Sequence, residues 1–261
     1  MGNIREQLRK FDWVLLAAVV LLMCLGLAAI YSVSLSHATP DFSNFNKQLI
    51  FGAVGLAAVF FLSFINYSAF RMYSRIIFVS AFLLLLAVLF FGTTIRGTTG
   101  WFAVGGFGFQ PVEVAKIALI IFLARFFSNR FQRFNQSKHI IVSFVGTVIL
   151  VGLVLLQPDM GSAFILMAVW FGLLALTGVK WRYIALMILF LVSVVSLSWF
   201  ALFQDYQKDR IMTFLDPSRD PLGSGYNVSQ AIIAVGSGQW LGRGLGFGSQ
   251  SQLKFLPESQ T

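Results

Sequence analysis

The segment WVLLAAVVLLMCLGLAAIYSVS, Trp13–Ser34, decides the class of fold. It holds no charged residue and matches the roughly 20 residues with which a helix crosses a bilayer core. Such a segment has to be helical, because backbone groups in hydrocarbon find no water to bond. Six more apolar runs follow, so spans are expected at 13–34, 48–66, 74–95, 111–127, 139–156, 160–178 and 183–204. Composition agrees: 57% of residues are hydrophobic and 11% are charged. A soluble domain of this size needs roughly 25% charge to cover its surface.

The N-terminal stretch resembles a signal peptide, with Arg5, Arg9 and Lys10 before an apolar run. It is too long for one, lacks a small-x-small cleavage site and precedes six more spans. Met1-Gly2 does not start a myristoylation signal either, since position 6 is Glu6. The one cysteine, Cys24, lies inside the first span and reads as a buried or lipid-facing apolar residue. Neither a disulfide within the chain nor a Cys/His metal spacing is available.

The net charge of +9 is not a nucleic-acid signature, because basic residues form no stripe interleaved with aromatics. They fill alternate gaps between spans. With the N-terminus in the cytoplasm, the inner segments carry eleven Lys or Arg: Arg5, Arg9, Lys10, Arg71, Arg75, Arg125, Arg130, Arg133, Lys138, Lys180 and Arg182. The short outer loops hold two, Lys47 and Arg96. By the positive-inside rule this sets the orientation. The expected architecture is an all-α polytopic membrane protein: a transmembrane bundle over 1–204, then a long extracytoplasmic loop over 205–261. The segment 92–110, the Gln157-Pro158-Asp159 turn and the 205–261 stretch then face outward, and chemistry is expected there.

Four places carry candidate chemistry. Pro111-Val-Glu113-Val-Ala-Lys116 opens the fourth span with Pro near its first position. Glu113 and Lys116, three apart, share a helix face. Charges at membrane depth usually face a cavity, a partner or a substrate. The plainer reading is that Glu113 complements the helix N-terminus while Lys116 snorkels or pairs with it. Trp101 stands in a Gly-rich outer segment, where spacing alone makes it an interfacial anchor rather than a substrate platform. Asp159 is a lone outward acid in a turn, most often a turn residue or helix cap rather than a functional group. Gly236-Ser-Gly238 and Gly242-Arg243-Gly244-Leu-Gly246-Phe-Gly248 match no phosphate-loop pattern. Beside Arg243 such a backbone either cradles an anion or is a flexible linker.

The run Phe214-Leu-Asp216-Pro-Ser-Arg-Asp220-Pro-Leu-Gly-Ser-Gly225-Tyr-Asn227-Val-Ser-Gln230 resembles the SEDS family (shape, elongation, division and sporulation). So do Gln157-Pro-Asp-Met-Gly161-Ser-Ala, Gln110-Pro-Val-Glu-Val-Ala-Lys116, the opening Phe11-Asp-Trp and Ser249-Gln-Ser-Gln-Leu253-Lys-Phe-Leu-Pro-Glu258. The likeness covers the whole chain in family order. Gly225-Tyr-Asn227, Ala234-Val-Gly-Ser-Gly238 and Ser249-Gln-Ser-Gln-Leu253 are similar to its elongation branch rather than its division branch.

The resemblance implies a peptidoglycan glycosyltransferase in the cytoplasmic membrane of a bacterium. It would polymerise lipid II, with inversion, for wall elongation and cell shape, beside a class B penicillin-binding transpeptidase and other elongation-complex membrane proteins. Lys116 and Glu113 match catalytic positions; Trp101 and Asp159 match functionally important ones. Arg210 and Arg243 are further candidates to meet the diphosphate, after Lys116. No cofactor is implied; a divalent cation at the diphosphate is left open, with no metal ligands assigned. Two positions depart from the pattern: Gly100 replaces a basic residue and Val112 replaces the Ser of Gln-Pro-Ser-Glu. The family normally has ten spans, and its catalytic Asp directly follows Leu-Pro-Glu-x-x-Thr, here Leu256–Thr261. Residues 1–261 by themselves are therefore expected to be inactive as a polymerase. Lipid II translocation and a non-enzymatic scaffold of the elongation or division complex are the alternatives; a generic transporter lacks support, since no internal repeat is visible.

Overall fold

A computed structural model describes residues 11–35, 41–95, 97–105, 107–128, 136–201, 205–221, 223–239 and 242–244. Seven long helices appear among them: α1 (Trp13–Leu35), α2 (Ser43–Ser63), α3 (Tyr67–Phe91), α4 (Pro111–Ser128), α5 (Gln136–Leu155), α6 (Met160–Leu176) and α7 (Trp181–Ala201). Each falls on one of the seven expected spans. Four regions are long and apolar enough to cross a membrane by those criteria alone: α1, α2, α3 and Lys138–Leu155 within α5. Helix α4 carries Glu113, Lys116 and Arg125, and α6 has 17 residues, about 25 Å of rise.

Capping explains where several helices begin. The Asp12 carboxylate accepts from the Leu15 amide at 2.9 Å, which gives Phe11-Asp-Trp a structural role at the head of α1. Helix α2 has no side-chain cap at its N-cap position, Phe42; just before it, Asp41 accepts from the Ser43 amide at 2.9 Å in a local turn. Asn66 caps α3 by accepting from the Ser68 amide at 3.0 Å.

The chain divides into two compact units, Asn66–Val194 and a second made of Met1–Ile65 with Val195–Thr261. In the first, α3, α4, α5 and α6 enclose a core of Leu85, Leu119, Leu123, Leu150, Leu166 and Trp170. The buried Trp170 indole donates to the Ser143 hydroxyl of α5 at 3.1 Å, the kind of polar contact that joins helices in lipid. At one end of this unit Arg125, in the last turn of α4, donates to the Met72 carbonyl and the Ser74 hydroxyl, each at 3.0 Å. Arg71 and Arg75 flank that contact along the chain, so the basic residues gather at this end.

The opposite end is closed by an antiparallel meander that the Gly-rich sequence did not suggest: β1 (Thr93–Ile95), β2 (Thr98–Val104) and β3 (Phe107–Phe109), in the order β1-β2-β3. It is a small exception to the all-α expectation.

In the second unit, α1 and α2 pack on each other, and Cys24 is exposed on α1, as a lipid-facing residue would be. The expected loop after α7 is partly helical instead. It contains α8 (Asp205–Leu215), a 3-10 turn (Pro217–Arg219) and α9 (Ser224–Gly238), packed together. Asp216 caps the turn, accepting from the Ser218 amide at 3.2 Å. Its carboxyl lies below the usual carboxylate range, chiefly because the Ser218 hydroxyl donates to it; the Ser218 amide and Arg219 add to this.

Gly225 allows the packing of α9 on that turn. A Cβ there would overlap the Pro217 carbonyl oxygen and approach that of Asp220 to 2.5 Å. Gly→Ala inside a helix normally stabilises by about 1 kcal/mol. Here we expect Gly225→Ala to destabilise by about 1–3 kcal/mol, as overpacking does. Faster limited proteolysis between α7 and α9 in detergent checks this; slower cleavage contradicts it.

Candidate functional site

Helix α4 begins at Pro111, whose fixed φ suits a first helical position. The Glu113 amide donates to the Gln110 carbonyl at 3.1 Å. Val112, Ala115, Leu119 and Leu123 recur at helical spacing and are buried, which turns Glu113, Ile117 and Ile120 to the exposed face. Lys116 lies on the flank between the two, its side chain 18% exposed against 60% for Glu113. The Lys116 ammonium donates to a Glu113 carboxylate oxygen at 2.8 Å. An ammonium has three donors, so this pairing leaves capacity for an anion. Glu113 thus stands in the first turn of α4 with Lys116 paired to it, an arrangement common to both readings of the sequence. It also places a cation where the polar head of the helix gives way to Ile117 and Ile120.

Asp159 is the N-cap of α6. It accepts from the Ser162 amide at 2.9 Å and from the Ser162 hydroxyl at 2.7 Å. Its second oxygen also accepts from the Gln110 side-chain amide at 3.1 Å. Two motifs 49 residues apart, Gln110-Pro-Val-Glu113 and Gln157-Pro-Asp159, thus meet at the sheet end of the unit. The sequence motifs contain Gln110 and Ser162, but nothing in their spacing distinguishes them as partners of Asp159. Only the fold supplies that contact.

Trp101 is half-buried on β2, where it pairs in register with Thr93. The Thr93 hydroxyl donates to the Trp101 carbonyl at 3.1 Å. Its ring lies over Gly108 of β3, since a Cβ at 108 would come within 3.0 Å of the ring atom Cε3. Side chains alternate along a strand, so Gly100 faces the other way, toward the helices. Gly100 is buried, and a Cβ there would stand 2.8 Å from Gln157 Oε1. A side chain at position 100 would therefore press on the end of the Gln157 side chain. Gln157 is fully buried; its amide nitrogen donates to the Leu85 carbonyl of α3 at 3.3 Å. A backbone carbonyl can only accept, which fixes Oε1 on the Gly100 side. Oε1 has no hydrogen-bond partner among the described residues, a condition that costs about 1–3 kcal/mol.

The remaining candidates belong to the other unit. The Arg243 guanidinium donates to the Ser237 carbonyl at 3.2 Å, satisfying a carbonyl in the last turn of α9. Gly236-Ser-Gly238 is the end of that helix, not an open loop. The Arg210 side chain and residues 245–261, with the Ser249–Leu253 and Leu256–Thr261 motifs, lie outside the described residues. Among the described residues no group of three or more His, Cys, Asp or Glu stands together.

Fold and site together define a polytopic helical membrane protein with a polar, hydrogen-bonded site at one end of its core helices. The chain belongs to the FtsW/RodA/SpoVE family: the family model described as "Cell cycle protein" matches residues 12–261. It is 34% identical over 256 residues to the peptidoglycan glycosyltransferase MrdB of Escherichia coli K12, covering 96% of this chain and 68% of that protein. It is 33% identical to stage V sporulation protein E of Bacillus subtilis, covering 96% and 69%. Among solved structures it is similar to a peptidoglycan synthase complex described as coordinating polymerization and crosslinking: TM-score 0.70, 33% identity, 86% of this chain and 65% of that one. It is also similar to the rod shape determining protein RodA of Thermus thermophilus, at TM-score 0.62 and 29% identity, covering 71% and 59%. The chain spans about two thirds of the length of these relatives.

Proposed function

We propose that this protein is a peptidoglycan glycosyltransferase that polymerises lipid II on the outer face of the bacterial cytoplasmic membrane, in the service of wall elongation. The observation that carries this reading is the layout of α4. The Glu113–Lys116 pair stands at its head, tied through Gln110 to Asp159, and the exposed Ile117 and Ile120 continue the same side down the helix. A lipid-linked diphosphate has this same order, a charged head followed by an apolar tail.

In the reaction an acceptor sugar hydroxyl attacks the anomeric carbon of the donor chain with inversion. The bond from that carbon to the lipid diphosphate breaks, and the hydroxyl proton passes to a carboxylate base. The family resemblance places that base directly after Leu-Pro-Glu-x-x-Thr. Negative charge develops on the leaving diphosphate, where a positioned cation is worth most. Lys116 is that cation, and Glu113 holds its ammonium in place. Asp159 and Trp101 bind the sugar-bearing end of the substrate.

Orientation follows from charge: Arg71, Arg75 and Arg125 mark the cytoplasmic end of Asn66–Val194, with the N-terminus inside. A crosslinking partner, a class B penicillin-binding transpeptidase, fits the company kept by the solved neighbour. The test is polymerisation of purified lipid II by protein expressed from the whole open reading frame, with that partner added. Glycan strands are expected. If none form where a control synthase makes them, translocation or scaffolding replaces this reading. Repeating the assay with a chelator decides whether a divalent cation shares the work of Lys116.

A further inference from the structure

We propose that Gln157 is a positioning residue: its buried side chain, bonded to helix α3 and packed against strand β2 at Gly100, is a lock that sets Trp101 and Asp159 together. The inference rests on the reading that Trp101 and Asp159 meet the substrate.

Three observations converge on this one side chain. Gln157 is fully buried, and its nitrogen donates to the Leu85 carbonyl, which ties the α5–α6 turn to α3. Its oxygen points into the space a side chain at position 100 would occupy, which brings the turn against β2 one residue before Trp101. The backbone amides of Gln157 and Asp159 both donate to the Val154 carbonyl, at 3.0 and 3.3 Å. Any shift of Gln157 is therefore passed to the Asp159 backbone. A methionine would fill nearly the same volume without burying an unpaired acceptor, so packing alone does not account for a glutamine here.

The test pairs Gly100→Ala with Gln157→Ala and uses Gln157→Met as the variant that keeps the volume. Hydrogen exchange of the 93–109 segment, in detergent and on the protein from the whole open reading frame, reads the lock without requiring catalysis. Gly100→Ala and Gln157→Ala should each speed exchange across β2 by roughly tenfold, the scale of one lost buried hydrogen bond. The double variant should be no worse than either single one, because removing the Gln157 side chain frees the space the new methyl needs. Additive effects, or a silent Gly100→Ala, would overturn the lock. Gln157→Met should fold and reach the membrane normally yet exchange β2 faster; wild-type exchange in that variant would show that the amide has no role.

In lipid II polymerisation, Gln157→Met should raise KM roughly tenfold with kcat little changed, the signature of weakened substrate placement. A fall in kcat at constant KM would overturn the positioning role. If the wild-type protein itself makes no polymer, the enzyme reading fails, while the exchange results still decide whether the lock exists.

Discussion

Replacing Lys116 with Ala should lower polymerisation of lipid II by roughly 100- to 1,000-fold, the loss seen when a preorganised charge-stabilising donor is removed, worth about 3–4 kcal/mol. Protein yield and thermal stability should change little. The Lys116–Glu113 pair spans a single turn of one helix, and such pairs contribute only about 0.2–0.5 kcal/mol to helices. The two quantities separate the alternatives. If Lys116 only neutralised Glu113, the loss in Lys116→Ala would come from the unpaired carboxylate, and adding Glu113→Gln would restore activity. A Lys that meets the diphosphate stays essential in either background. Lys116→Arg should recover part of the rate, since it keeps the charge but offers a planar fork in place of a compact ammonium. Steady-state rates with purified lipid II check the prediction; wild-type turnover in Lys116→Ala would remove this residue from the site.

Asp159 should give a divided result. Its carboxylate accepts from the Ser162 amide, the Ser162 hydroxyl and the Gln110 amide, so it is both a helix cap and a cross-link. Asp159→Ala loses all three bonds and should destabilise the protein by about 2–4 kcal/mol, combining a lost cap with a charge-assisted contact. Asp159→Asn keeps a good N-cap and an acceptor for Ser162, so its melting temperature should stay near wild type. Activity should nonetheless fall by at least tenfold if the charge itself meets the substrate. Thermal melts and rates for the two variants decide the matter. Full activity in Asp159→Asn would make the residue a structural cap and leave substrate contact to others.

The readings that came through depended on local chemistry. Each helix that was expected is present, because a run of apolar residues in lipid has one way to satisfy its backbone. One start shifted where a polar residue outside the run caps the helix, as Asn66 does. The local structure that the sequence left unread shares one cause. Segments 92–110 and 205–238 are rich in glycine, which suggests irregular chain when judged by propensity alone. In fact Gly225 stands where backbone carbonyls approach too closely for a Cβ, and Gly100 and Gly108 stand where a side chain packs closely on the strand, so these glycines serve regular structure. Whether a glycine loosens a segment or permits its packing depends on its neighbours in space.

Sequence alone determined that this protein crosses the membrane repeatedly, where its helices lie, and which family its motifs resemble. Those properties follow from residues close together in the chain, through hydrophobicity, charge and short-range spacing. Tertiary structure decided that Gln110 belongs to Asp159, that Gln157 stands behind Gly100, and that Arg243 satisfies a helix end. It also showed Trp101 resting on Gly108 with its strand turned so that Gly100 faces the helices. Such pairings join residues far apart in the chain, and the physical terms that select them, shape and hydrogen-bond direction, exist only once the helices have packed.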